Sequence, residues 1–489
     1  MAPKTDFFKD NIKFCNPSIV LYNYKKLRRV CQGATGCSKK TKNKGMMKTT
    51  KQSTFASGSD RVFEELRMRT MNGANLRFGY MLPKKVRERL DWELEVIQSC
   101  GVADRFLMMQ DLTNALRRMG LSAGAGFEAA TCSMVAYCLF VTDINPLKCN
   151  LLFETFLNPD GTLLPEMELS LAEGDKPKVV KWLTKRYGKE QENNPTVGLV
   201  ELRACSIIKE TVRNVLEYTK ICLDVNSIPL NDVETISSFR YGDMLGVSQF
   251  EEPTLQALLR EIMPFAFEEL MAVYALNHMG LSDRTKQYIQ NRQLWNRKGG
   301  QKYAIKGMER YLKQTYGVTI FPEQVMQLAQ FLAGFTPGES EMLREVMANN
   351  QTRKMMKLKE KFISQGTSNG HDPEVLEKIW SDWKKLMPHA CLKSHAAFVT
   401  LTAYRMAYLK AHYSVEFVAA SMTNSLDDID HIFALLDEFD HYSIFGPADS
   451  VQPRRFVVIS DWKIVYGHLP RKVMRALSDC SCPISLLYY

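Results

Sequence analysis

The chain has 489 residues, 45% of them apolar and 24% charged, an ordinary globular composition with length for roughly three domains of about 150 residues each. Its longest apolar run, residues 134–141, is far short of the roughly 20 residues that cross a bilayer. No h-region follows the charged start, so a soluble, intracellular protein without a membrane partner is expected.

The net charge of +10 is concentrated in one segment: residues 11–59 hold eleven cations and no acid, which leaves the remainder at −1. A body without net charge lacks the overall positive field of a protein that tracks duplex DNA. The segment reads as a basic arm over residues 1–59, with Lys25, Lys26, Arg28, Arg29, Lys39, Lys40, Lys42 and Lys44 among its cations. From about residue 32 it mixes Lys, Thr, Gly and Ser without periodicity, and disorder is expected there. Contact with DNA, RNA or an acidic partner is one reading of this arm and a solvated tail is the other. The twelve cysteines are scattered singly and the eight histidines show no paired spacing, so buried, reduced thiols are expected and neither residue type points to a metal.

Helices dominate after the arm. Val86, Leu90, Leu94 and Ile97 recur every three or four residues, and Leu107, Leu112 and Leu116 repeat the rhythm. Gly124 and Gly126 precede an apolar stretch that begins at Ala129. Glycines before a helix let a phosphate approach free backbone N–H groups, yet Phe127 and Glu128 occupy that entrance and a carboxylate there repels a triphosphate. A plain turn is the competing reading.

In Pro165–Leu171, alternation places Glu166, Glu168 and Ser170 on one face of a predicted strand. Two carboxylates two residues apart on a strand are the minimum for a two-metal phosphoryl-transfer site; Ser170 cannot add a third charge. Further on, Thr336, Pro337 and Glu339 form a helix start with N-cap, first-turn proline and capping-box acid, with Met342, Leu343, Val346 and Met347 as the predicted buried face. Ser394 is the predicted cap of a helix that buries Phe398, Leu401, Tyr404, Met406 and Leu409 and turns Arg405, Lys410 and His412 elsewhere. Ile429, Ile432, Leu435, Leu436 and Phe439 mark one more helix.

Six segments taken in order, LLFETFLNP at 151–159, TYGV at 315–318, EQVMQ at 323–327, LAGFTPGE at 332–339, KSHAA at 393–397 and LKAHY at 409–413, resemble the alpha subunit of bacterial DNA polymerase III, a C-family replicative polymerase. The resemblance spans roughly residues 85–470 and implies an α+β fold. That fold comprises a mixed-sheet, nucleotidyltransferase-like palm followed by a large, mainly helical fingers region. It divides the chain into the arm at 1–59, a helical lead-in and reduced palm lacking the thumb at 60–222, fingers at 223–445 and a remnant of the following segment at 446–489.

The resemblance also assigns the site. The palm strand of the family reads PDFDIDF, and its first two aspartates, which hold magnesium, match Glu166 and Glu168. Its third aspartate lies in GLVKMDFLGL and matches Arg203 within residues 198–207, so a guanidinium is expected to pair with the two glutamates where the metal would sit. The GPGRGSAAGS loop resembles residues 124–133, with its Arg replaced by Phe127 and its Gly-Ser by Glu128-Ala129. In the fingers, LRRAMGKK resembles residues 343–350: Arg344 persists, while Glu345, Asn349 and Asn350 replace cations. Lys393, His395, Tyr404 and Lys410 stay at family positions on the nucleotide-binding surface.

Only 33 positions separate Ser170 from Arg203, where the family inserts its thumb, and the family's phosphoesterase-like, clamp-binding and C-terminal nucleic-acid modules are missing from the resemblance. The expectation is a cytoplasmic, bacterial or phage-encoded protein of DNA replication that is catalytically degenerate, binds no cofactor and acts as a binding or scaffold protein toward replication proteins or, through its arm, nucleic acid. The alternative is a minimal DNA-directed DNA polymerase that uses Mg2+ on Glu166 and Glu168. A third reading makes the arm the only working part.

Overall fold

The computed structural model describes residues 58–121, 126–157, 167–188, 197–280, 282–298, 303–438, 443–445, 454–460, 463–479 and 484–485. The basic arm, with Lys25, Lys26, Arg28, Arg29, Lys39, Lys40, Lys42 and Lys44, lies outside them, as do Glu166, Gly124 and Phe439.

Three helices open the described chain: α1 (Gly58–Phe78), α2 (Lys84–Ser99) and α3 (Ala103–Arg118). Val86, Leu90, Leu94 and Ile97 are the buried stripe of α2; Leu112 and Leu116 serve α3, with Leu107 half-buried. The apolar run at 134–141 holds a five-residue helix, α4 (Met134–Cys138), at the centre of this layer. No helix is long and apolar enough to cross a membrane among the described residues.

The fold is mostly helical with two small sheets, an α+β arrangement. Strand β1 (Glu168–Leu171) pairs in parallel with β2 (Gly198–Glu201), and helix α5 (Lys176–Tyr187) lies between them in sequence, as a parallel connection requires. Phe127 forms an antiparallel bridge to Leu169 on the other edge of β1. The second sheet is built from β3 (Ser443–Phe445), β4 (Phe456–Ser460), β5 (Lys463–Tyr466) and β6 (Ile484–Ser485), in the order β4-β5-β3-β6 with both parallel and antiparallel pairs.

Between the sheets run helices α6 (Arg203–Thr219), α7 (Val233–Tyr241), α8 (Pro253–Ile262), α9 (Phe267–Met279), α10 (Ser282–Lys298), α11 (Glu309–Leu312), α12 (Pro322–Ala333), α13 (Pro337–Ala348), α14 (Thr352–Ser368), α15 (Pro373–Leu386), α16 (Lys393–His412), α17 (Ser414–Thr423) and α18 (Ile429–Glu438). Helix α19 (Arg471–Asp479) follows β5. The capping box of α13 forms as predicted, with Thr336 Oγ1 accepting from Glu339 N at 3.2 Å and the Glu339 carboxylate accepting from Thr336 N at 3.1 Å. Leu343, Val346 and Met347 are buried, whereas Met342 is 51% exposed because it points away from the neighbouring α12 and α14.

Helix α16 is the hub, packed by α6, α7, α9 and α17 and buried nearly all round. Two expectations fail here. Ser394 is not its cap: Leu392 takes that position, and the first free N–H, that of Lys393, donates to the buried carboxylate of Glu323 on α12 at 2.7 Å. Nor do Arg405 and Lys410 face away from the core. Both are buried, because neighbouring segments supply their counter-charges; Arg405 donates to Asp143 at 2.9 Å and to Asn226 at 3.1 Å.

Candidate functional site

Strand β1 begins at Glu168, one residue after the first described position, Met167. Alternation puts Leu169 and Leu171 into the core, each fully buried, and leaves Glu168 and Ser170 on the opposite face. Glu168 is exposed and Ser170 buried. Opposite Glu168 stands Gly198, where a side chain would bring a Cβ to 3.0 Å from Glu168 Cγ, so the glycine clears space for the glutamate.

The same register overturns the expected pairing of Arg203 with Glu168. Gly198 faces Glu168, and Arg203 comes five residues later, roughly 16 Å further along at about 3.3 Å per residue. Its guanidinium instead donates to Asp427 at 2.8 Å on an exposed surface. Glu166 lies outside the described residues. On β1 the described residues offer the Glu168 carboxylate and the buried Ser170 hydroxyl, and no group of three His, Cys, Asp or Glu side chains among the described residues is placed to hold a metal ion.

In the glycine loop, Gly126 has φ +92° and bridges Thr142; a Cβ there would stand 2.4 Å from the Val141 carbonyl oxygen. Its lack of a side chain serves a close approach of two backbones. The N-terminus of α4, which ends this loop, is already filled. The fully buried carboxylate of Glu93 on α2 accepts from Ser133 Oγ at 2.8 Å, Met134 N at 2.9 Å and Val135 N at 3.0 Å, and from Arg89 Nε at 2.6 Å. An internal acid thus occupies donors that suit an anion.

The cationic positions of the fingers are likewise engaged from within the molecule. His395 Nδ1 lies 2.8 Å from Glu128 Oε1, and its Nε2 lies 3.3 Å from Tyr274 Oη. The hydrogen bond to Glu128 raises the His395 pKa against the opposing effect of burial. Lys410 donates to Asp243 at 2.5 Å, to Glu438 at 2.6 Å and to the Leu245 carbonyl at 3.1 Å. Arg344 is held by Glu341 at 2.6 Å; burial opposes its charge, but the hydrogen bond to Glu341 together with the charges of Glu341, Glu323 and Glu345 outweighs that and raises its pKa. Lys393 reaches Gln314 at 3.2 Å beneath the Phe321 ring, and burial lowers its pKa. The Tyr404 hydroxyl donates to the Pro229 carbonyl and accepts from Asp232 N, both at 3.0 Å, and burial pushes it up to about 12.

Most of these partners have no local signature in the sequence. Glu341 and Arg344 form an i,i+3 pair that helical spacing does announce. Asp243, Glu438, Asp427 and Glu128 meet their cations across 28 to 267 residues, and no local pattern marks them.

Comparison with known proteins identifies the scaffold. Residues 64–239 match the model of the bacterial DNA polymerase III alpha NTPase domain, and residues 204–370 that of the bacterial DNA polymerase III alpha subunit finger domain. The chain is a divergent relative of the bacterial DNA polymerase III alpha subunit. It is 26% identical to DNA polymerase III subunit alpha of Halalkalibacterium halodurans over 78% of its own length and 44% of the relative's. It is 26% identical to that of Chlamydia muridarum over 72% and 38%, and to that of Neisseria meningitidis serogroup A over 78% and 44%. The chain therefore spans less than half the length of these curated relatives.

The described cysteines are free thiols, and most but not all are buried as expected. Burial pushes Cys132, Cys138, Cys149, Cys205 and Cys391 up to about 12, whereas Cys222 is exposed.

Proposed function

We propose that this DNA polymerase III alpha-like chain is catalytically degenerate and works in DNA replication as a binding or scaffold protein. The observation that carries this reading is the internal neutralisation of the positions that resemblance assigns to nucleotide binding: Glu128 on His395, Asp243 and Glu438 on Lys410, and Glu341 on Arg344. Cations already held by carboxylates have little attraction left for a triphosphate, and freeing them leaves an acid unpaired. The placement of Ser170 and Arg203 supports it from the acidic side of the site. Replication proteins, and DNA or RNA held by the basic arm, are the partners this reading proposes.

Primer extension on a primed template with magnesium or manganese tests it, comparing the full chain with Glu166→Ala and Glu168→Ala. The expected result is no incorporation above the level of the two variants. Template-dependent incorporation abolished by either substitution would establish the alternative, a minimal polymerase that uses both glutamates as metal ligands.

A further inference from the structure

The sheet of β1 and β2 has one bridged edge and one open edge. Beyond β1, Phe127 bridges Leu169; beyond β2, no third strand follows among the described residues. Gly198 N donates to Met167 O at 2.7 Å and Leu202 N to Leu171 O at 2.8 Å, so the even-numbered residues of β2 turn their backbone groups toward β1. Backbone direction alternates along a strand, and the N–H and C=O groups of Leu199 and Glu201 therefore point to the open side. Among the described residues, no hydrogen bond engages the amide of Leu199 or Glu201.

Proteins ordinarily shield such an edge with charge, proline or a covering element. Residues 198–201 contain no proline, and their one charge is turned inward: the Glu201 carboxylate accepts from Gly174 N at 2.8 Å and from Lys176 N at 3.3 Å. Between the two outward-pointing residues sits Val200, an apolar β-branched side chain that is 39% exposed. The edge is left unguarded.

The phase of its backbone groups selects the strand that fits. In antiparallel pairing, directly opposite residues exchange both hydrogen bonds at every second position, and the pair between them stands closer without bonding. A two-fold axis through Val200 sets Leu199 opposite Glu201 of a second copy, and Glu201 opposite its Leu199. Both pairs then use their outward N–H and C=O groups, and Val200 meets its own twin in the closer position. An apolar β-branched pair is favourable there, and no like charges stand directly opposite. Such self-complementarity is what a closed two-fold contact requires. We propose that the open edge of β2 docks antiparallel on the same edge of a second copy of this chain, joining the two small sheets into one. This goes beyond the binding reading above and does not depend on the loss of catalysis.

Sedimentation equilibrium of the full chain between about 1 and 500 μM is the test, a range suited to a contact smaller than a permanent interface. The wild-type chain should move from monomer toward dimer as concentration rises. Val200→Glu and Val200→Lys each put like charges face to face on the axis, so each should weaken dimerisation about tenfold or more. An equimolar mixture of the two should restore it through the mixed pair. Leu199→Pro removes an outward amide while leaving the bonds to β1, and it should weaken dimerisation as well. Far-UV circular dichroism should show every variant folded, as expected for changes at a partly exposed edge. A monomer at every wild-type concentration would overturn the proposal and leave the edge to an extended segment of a different protein. Dimerisation unchanged in the folded Val200 variants would overturn it too, as would a mixture that associates no better than its components. Mass is the readout, so the result is separate from that of primer extension.

Discussion

The imidazole of His395 and the carboxylate of Glu128 stand 2.8 Å apart across 267 residues of sequence, joining the glycine-loop region to the first turn of the central helix. The hydrogen bond favours the imidazolium, so the folded pKa lies above the ordinary value of about 6.5. The sign follows from linkage: the contact stabilises fully below the unfolded pKa and is lost as pH rises through the folded one. Glu128→Gln should lower the His395 pKa, read from ring resonances in an NMR titration. Both side chains are about one-third exposed, so the stability lost at acid pH should stay under about 1 kcal/mol. An unmoved titration would show that the pair does not form in solution.

Glu93→Gln should be far more costly. Its carboxylate is fully buried and serves Arg89 together with three donors at the start of α4. Removing the charge leaves the Arg89 guanidinium with neutral acceptors in place of that carboxylate, beside the Cys132 and Leu151 carbonyls, and weakens every bond to the helix end. A loss of about 3–5 kcal/mol is expected, measured as a lower denaturant midpoint with an unchanged m value.

Arg203→Ala and Asp427→Ala should each cost less than about 1 kcal/mol, since their ion pair is exposed at 41% and 71%. Denaturation of both single variants and the double variant gives the coupling directly. A several-fold larger loss on Arg203→Ala alone would mean that the guanidinium works elsewhere than at Asp427.

Gly120→Ala and Gly126→Ala form a controlled pair. Both glycines have positive φ, but a Cβ at Gly120 meets nothing within 4 Å, whereas at Gly126 it meets the Val141 carbonyl oxygen at 2.4 Å. The first should lose about 1–2 kcal/mol for the left-handed conformation alone. The second should lose about 3 kcal/mol or more, because the bridge to Thr142 has to open. Equal losses would show that the backbone contact yields freely.

What the sequence made legible is what is local in it. The capping box at Thr336 and Glu339 and the stripe of α2 need only a few consecutive residues, and both appear where the spacing puts them. Helix α16 departs from its sequence pattern because periodicity detects one apolar face. A helix enclosed on every side keeps its charged residues buried when Asp143, Asp243 and Glu438 arrive from distant segments. The direction of Arg203 depended on the register between β1 and β2, which is fixed by pairing across almost 30 residues. In the candidate site, the residue types at the family positions were readable, but which acid neutralises which cation was a matter of tertiary packing.

The acid that closes the start of α4 also constrains how the domain assembles. Five residues are too few to nucleate and hold a helix in water. Those turns therefore persist only after α2 has docked and delivered its glutamate. Amide hydrogens of α4 should then exchange with the protection of α2, the two segments opening as one cooperative unit.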